Sequence, residues 1–383
     1  MKKSKLTIVL VMVLVIALLF VACGQPKAEP IKEEPAAEEP TAEEVAEEPA
    51  EVVEDFSGQT LTVLNWNGYG SDADYSELVF EEMYNCEVNH VYFTTLDEML
   101  NMLRTGGLGT IDVLLPNSSY LKPAVDEGLI QPIDISKMMN YADLKPDLAD
   151  VPDVYDADGN VYGVPWAWGT TSLGYDPAVT GGEITSWSAL WDDAYKGKVG
   201  FGDDYYAAVL VAAMYLGEED PYNPDLVAVE AALKDLKGNV RTFWGGYDDF
   251  LKPYAAGEIV IGNMWLGMAS VLQRDGSSFN YVYPEEGTVG WSDYWAIAKD
   301  APNYDLSVKW LDFMSSVEFQ EAFANDPWGA CPSNLNVLNS LSVDLQKAFY
   351  IYPAPPTNLY MQKALTKETQ EEWLALWNRV KAD

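Results

Sequence analysis

Aromatic side chains recur beside carboxylates and amides at the ends of short apolar runs in this chain. Asn65-Trp66-Asn67-Gly68-Tyr69 closes one run, and Pro116-Asn117-Ser118-Ser119-Tyr120 closes another. Gly202-Asp203-Asp204, Met264-Trp265 and Trp291-Ser292-Asp293 repeat the theme. A carboxylate among aromatic faces suits a desolvated organic cation, because charge-assisted hydrogen bonds and ring quadrupoles both favour it. Trp66, Tyr69, Asn117, Asp204, Trp265, Trp291 and Asp293 are therefore candidate ligand residues. Taken singly, each tryptophan is better explained by core packing, and Asp203 or Asp204 by capping of a helix. Only the series points to a site.

Catalytic chemistry finds little support. His90 is the sole histidine, so a serine triad or a histidine metal site would rest on it alone. Gly106-Gly107-Leu108-Gly109 lacks the lysine and spacing of a phosphate loop. Asp156 and Asp158 begin a calcium-like spacing that later residues do not complete. Paired carboxylates of the glycosidase kind give no positive signal. The residues call for neither cofactor nor metal.

The elements that must position these residues alternate. Apolar runs at Leu61–Trp66, Ile111–Pro116, Val161–Trp168, Lys198–Gly202, Ile259–Trp265 and Tyr294–Lys299 read as strands. Tyr75–Met83, Leu96–Thr105, Val227–Leu236, Leu306–Phe323 and Lys367–Val380 read as helices. Within Leu306–Phe323, Trp310, Phe313, Met314 and Val317 fall on one helical face. Such alternation predicts an α/β fold with covered sheets, in which ligands lie beyond the carboxyl ends of strands. Asp158-Gly159-Asn160 reads as a tight turn.

The N-terminus gives an address. Lys2, Lys3 and Lys5, an apolar run from Leu6 to Val21, and Ala22-Cys23 form a lipoprotein-type signal, with Phe20 where Leu is usual. Residues 1–22 are expected to be removed, leaving a lipidated Cys23. Residues 23–55, rich in Glu, Pro and Ala, are expected to form an acidic disordered tether. A net charge of −37 excludes a nucleic-acid binder, which needs a basic footprint. Cys86 and Cys331 remain, more simply two free thiols than a bridge.

The order and spacing of "LNWNGY", "DVLLPNSSY", "VYGVPWAWGTTSLGYD", "SWSALWDDAYKGKVGFGDD", "GEIVIGNMWLG", "YPEEGTVGWSDYWAIAKDAPN" and "WNRVKAD" carry a resemblance. Residues 58–383 resemble the spermidine/putrescine-binding proteins, extracytoplasmic receptors of polyamine ABC transporters. The resemblance implies a type II periplasmic-binding-protein-like fold, two α/β lobes with a ligand cleft between them. One lobe is expected from 56–169 with 293–355, the other from 170–292 with 356–383, with Trp168-Gly169 at a hinge crossing. It also implies a non-enzymatic monomer that delivers ligand to ABC permease subunits. Its ligand pattern falls on Trp66, Tyr69, Asp204, Trp265, Trp291, Tyr352, Asp293 and Asn378. This chain departs where the spermidine pattern has an acid, here Ala207, and a tyrosine, here Ser119. It departs from the putrescine pattern at Gly68, where that pattern has an acid. Two carboxylates suggest a diamine such as putrescine, or a triamine with one end less neutralised. A quaternary ammonium receptor, a sugar receptor, a carbohydrate-acting surface enzyme and a ligand-presenting sensor are the alternatives at this level.

Overall fold

The computed structural model describes residues 54–354 and 356–382. The expected signal at 1–22, Cys23 and the tether up to residue 53 lie outside the described residues.

The main sheet is built from β1 (Thr60–Asn65), β2 (Glu87–Tyr92), β3 (Val113–Leu114), β4 (Val164–Tyr175), β5 (Val199–Gly202), β6 (Val240–Trp244), β7 (Ile261–Trp265) and β8 (Thr288–Ala298). Its order is β2-β1-β3-β8-β4-β7-β5-β6. The strands at the two ends pair in parallel, β2-β1-β3 on one side and β7-β5-β6 on the other. The long strands β8 and β4 join them through antiparallel pairing. Every residue of β4 is buried, as expected for a central strand covered on both faces.

Separate cores flank the two ends. Leu61, Val63, Trp166, Trp295 and Trp310 pack together beside the β1–β3 end. Leu64, Leu121, Tyr120 and Ala296 form a second cluster there. At the other end Phe201, Tyr205, Val209, Leu233 and Trp377 pack together. A fourth cluster joins Trp168, Trp244, Phe250 and Met264 to Cys331, Val337 and Phe349, so residues 331–349 lean on the β6–β7 region.

Sequence expectations and observed elements differ where local chemistry overrides periodicity. The single helix expected over Leu306–Phe323 is two, Tyr304–Met314 and Val317–Asn325. Ser316 adopts extended geometry between them, and its hydroxyl accepts from Phe319 N at 3.2 Å, starting a new helix. Val317 consequently leaves the buried face that holds Trp310, Phe313 and Met314. The strand expected from Tyr294 begins at Thr288, so Trp291 and Asp293 lie inside β8 rather than before it. The expected turn at Asp158-Gly159-Asn160 is present, with Gly159 at φ +83 and Asp156 Oδ1 accepting from the Asp158 and Asn160 amides.

Candidate ligand site

The site grows from an irregularity in β8. The pairing of β8 with β4 shifts register between Asp293 and Tyr294, and Asn117 forms an isolated bridge with Asp293. A bulge at such a place re-aims a side chain. The buried Asp293 carboxylate accepts a hydrogen bond from Tyr69 Oη at 3.0 Å. Tyr69 is braced edge-on by Trp166 and Phe323, with ring centroids 4.7 and 5.7 Å away. The Tyr69 loop is fixed from within. Trp66 N donates to Asn65 Oδ1, Asn65 Nδ2 donates to Ser71 Oγ, and Gly68 N donates to Asp72. Gly68 supplies a positive φ of +71, which lets the chain turn here. Trp66 rests on Phe93, centroids 4.4 Å apart.

Trp291 lies across β4 at Gly169, its partner in the ladder. A Cβ on residue 169 would stand 2.5 Å from the indole, so only glycine leaves room for it. The buried Trp291 Nε1 has no hydrogen-bond partner among the described residues. Trp265 packs against Trp244 and Tyr247. Burial raises the Tyr247 phenol, with Asp293 adding to the effect, and its ring meets the exposed Trp328 edge-on at 4.9 Å.

A second carboxylate is reached through a relay of amides. Asn117 Nδ2 donates to Gln362 Oε1 at 2.9 Å, and Gln362 Nε2 donates to Asp204 Oδ2 at 3.3 Å. Asp204 Oδ1 accepts from Tyr206 N at 2.9 Å, capping the helix Tyr205–Leu216. The cap and the inward-facing carboxylate are therefore one residue. Asp203 points elsewhere, accepting from Trp377 Nε1 at 2.8 Å and Lys381 Nζ at 2.6 Å.

Burial dominates the electrostatics. It pushes the Asp293 carboxyl up to about 7, against the opposing pull of the Tyr69 hydrogen bond. It also raises Asp204, opposed by the amides of Tyr206 and Ala207 and by Gln362. Tyr69 is raised well above the ordinary phenol by burial, with Asp293 adding to the effect. Carboxylates destabilised in this way gain strongly from a cation placed beside them.

Tyr69 hydrogen-bonds Asp293, and Asn117 reaches Asp204 through Gln362. Trp66, Tyr69 and Trp291 pack on the Trp166 core, whereas Trp265 packs on the Trp168 cluster. Tyr352 is half exposed, with Lys347 Nζ 5.7 Å from its ring centre, and Asn378 is exposed on the helix Lys367–Ala382. Among the described residues no hydrogen bond joins either to Asp204 or Asp293. Gln362, Tyr247 and Trp328 were not expected from sequence. The short strand Leu359–Met361, paired with β8 at Thr288–Gly290, is the element that brings Gln362 inward. His90 is a packing residue: its ring is buried between Glu77, 3.1 Å from Nδ1, and Ser71, 3.1 Å from Nε2. Cys86 and Cys331 are free thiols. No cluster of metal-ligating side chains occurs among the described residues.

Comparison with known proteins gives this geometry a family. Residues 79–350 match the bacterial extracellular solute-binding protein family. The chain is 30% identical over 302 residues to the spermidine/putrescine-binding periplasmic protein of Escherichia coli, covering 78% of this chain and 84% of that one. It belongs to the bacterial extracellular solute-binding proteins. This solute-binding protein is also 24% identical over 359 residues to a putrescine/cadaverine-binding protein of Pseudomonas aeruginosa, covering 88% and 98% of the two chains. Among solved structures, a putative spermidine/putrescine ABC transporter protein of Listeria monocytogenes superposes with TM-score 0.74. That match has 24% identity and covers 84% of this chain and 99% of the other. The fold is the two-lobed type II solute-binding fold, and the curated relatives are named as solute-binding proteins, not as enzymes. No helix among the described residues is long and apolar enough to cross a membrane.

Proposed function

We propose that this protein captures a protonated polyamine, putrescine or spermidine, between its lobes and delivers it to an ABC permease. The observation that carries the reading is Asp293, a buried carboxylate held by Tyr69, whose ring is braced by Trp166 and Phe323. One ammonium pairs with Asp293 and another with Asp204, while Trp66, Trp265 and Trp291 line the methylene chain. Each charge-assisted hydrogen bond contributes on the order of 1.5–3 kcal/mol. Cation–π contacts add roughly 0.5–2 kcal/mol. The polyamine ligands named for the E. coli and P. aeruginosa relatives support this assignment.

The lobes in this reading are 56–169 with 293–355 and 170–292 with 356–383, meeting at β4 and β8. The two β1–β3 cores and the Trp377 core support that division, while the Trp168 cluster spans the crossing. The protein acts as a monomer held at the extracytoplasmic face by lipid on Cys23. Calorimetric titration of the Asp293→Ala variant tests the ligand placement. Putrescine and spermidine affinity should fall about 10- to 100-fold, and unchanged affinity for both would sink it.

A further inference from the structure

His90 does more than pack, because its two ring nitrogens end a chain of hydrogen bonds that begins on the ligand loop. Trp66 N can only donate, and it meets Asn65 Oδ1 at 2.7 Å. The Asn65 amide is thereby oriented, and its Nδ2 donates to Ser71 Oγ at 2.8 Å. That leaves the Ser71 hydroxyl hydrogen for His90 Nε2, 3.1 Å away. On the far side Glu77, whose ionised carboxylate only accepts, lies 3.1 Å from Nδ1. Both ends therefore require the same neutral imidazole, with its hydrogen on Nδ1. Ser71 N also donates to Tyr69 O at 3.0 Å, so the chain fixes both Trp66 and Tyr69. Ser71 is fully buried, so the Glu77–His90–Ser71 trio positions a loop rather than presenting a nucleophile.

A second proton breaks this order. With hydrogens on both nitrogens, Nε2 becomes a donor facing the Ser71 O–H, which must turn away. The Ser71 hydroxyl has no other partner among the described residues, so a buried donor is left unpaired. The ring stacks on Tyr92 of its own strand at 6.1 Å and meets Trp310 at 6.2 Å. Asp72 of the ligand loop and Glu81 of the helix Glu77–Tyr84 also act on it, and both favour the charged ring. Burial outweighs them and holds the imidazole below the ordinary histidine range. Asp72 is itself part of the loop's bracing, accepting from Gly68 N at 2.8 Å.

Resting on the polyamine reading, we propose that His90 is a positioning residue for the ligand loop: the neutral ring holds Trp66 and Tyr69 in place for ligand, and its protonation loosens them. Acid then releases ligand through the loop, separately from any proton taken up at Asp293.

The sole histidine gives a single imidazole signal, so nuclear magnetic resonance of the purified, ligand-free protein reads the proposal directly. At about pH 8 the ring nitrogens should show the Nδ1–H tautomer. As pH falls, the Trp66 amide should move with the midpoint of the ring, and that step should vanish in His90→Gln. An Nε2–H tautomer, a ring that stays neutral until the protein unfolds, or a Trp66 amide that ignores the ring would overturn the proposal. These readings need no ligand, so they hold or fail independently of the polyamine reading. In calorimetric titrations at about pH 8, His90→Leu should weaken putrescine and spermidine about tenfold. His90→Gln, which still offers Ser71 an acceptor, should lose less; equal loss in both variants, or none in either, would also overturn the positioning role. A parent protein that binds neither polyamine would overturn the polyamine reading, while the resonance data still decide the loop.

Discussion

Burial raises the Asp293 carboxyl, and the sign of that shift sets a pH dependence. Its folded value near 7 lies above the ordinary 3.8, because burial penalises the charged form. Between those values the folded protein keeps a proton that the unfolded chain has lost. The group therefore favours folding fully below about pH 4, and that contribution is lost as pH rises towards 7. Asp293→Asn should melt higher than the parent at about pH 8, and the gap should close near pH 4. An ammonium needs the ionised carboxylate, so binding should release a proton in weakly acidic solution. Below about pH 7, polyamine affinity should fall roughly tenfold per pH unit. Titrations in buffers of different ionisation enthalpy measure that proton, and a flat profile would remove Asp293 from the ligand.

At the scale of elements, the site depends on a strand crossing and a helix break. Gly169→Val would drive a side chain into the Trp291 indole at the β4–β8 ladder. It should cost about 1–3 kcal/mol, seen as a lower melting temperature, and weaken ligand binding as well. Ser316→Ala removes the cap of the helix whose Phe323 braces Tyr69, at a cost of about 1 kcal/mol. The strand-end placement of Trp66, Tyr69, Asp204 and Trp265 was legible because period-two apolar runs mark where strands stop. The break at Ser316 was not, since the apolar spacing of Trp310 to Val317 continues across it and only the cap ends the helix. Trp291 and Asp293 were read as flanking a strand because Gly290 and Ser292 interrupt the apolar run, although the ladder to β4 continues through both. Gln362 sits in a polar stretch and looks like a surface residue until the pairing of Leu359–Met361 turns it inward. Local chemistry was legible; long-range pairing was not.

Across the whole molecule, contacts between the two proposed lobes describe what closure must make and break. The Asn117–Gln362 hydrogen bond and the Tyr247–Trp328 ring contact connect segments far apart in sequence. In the proposed cycle these contacts form as the lobes close on ligand. Solution scattering should then show a smaller radius of gyration with saturating polyamine, and identical curves would contradict ligand-driven closure. The net charge of −37 adds long-range attraction for polycations. Association rates for spermidine should drop as salt is raised, more steeply than for a neutral ligand, in stopped-flow measurements.

The most direct measurement is calorimetric titration of the purified protein with putrescine and spermidine at about pH 8, beside the Asp204→Asn/Asp293→Asn double variant. Saturable one-to-one binding to the parent, abolished in a double variant that still melts cooperatively, is the predicted result. Binding that survives loss of both carboxylates, or no binding of either polyamine to the parent, would contradict a cation site at Asp204 and Asp293.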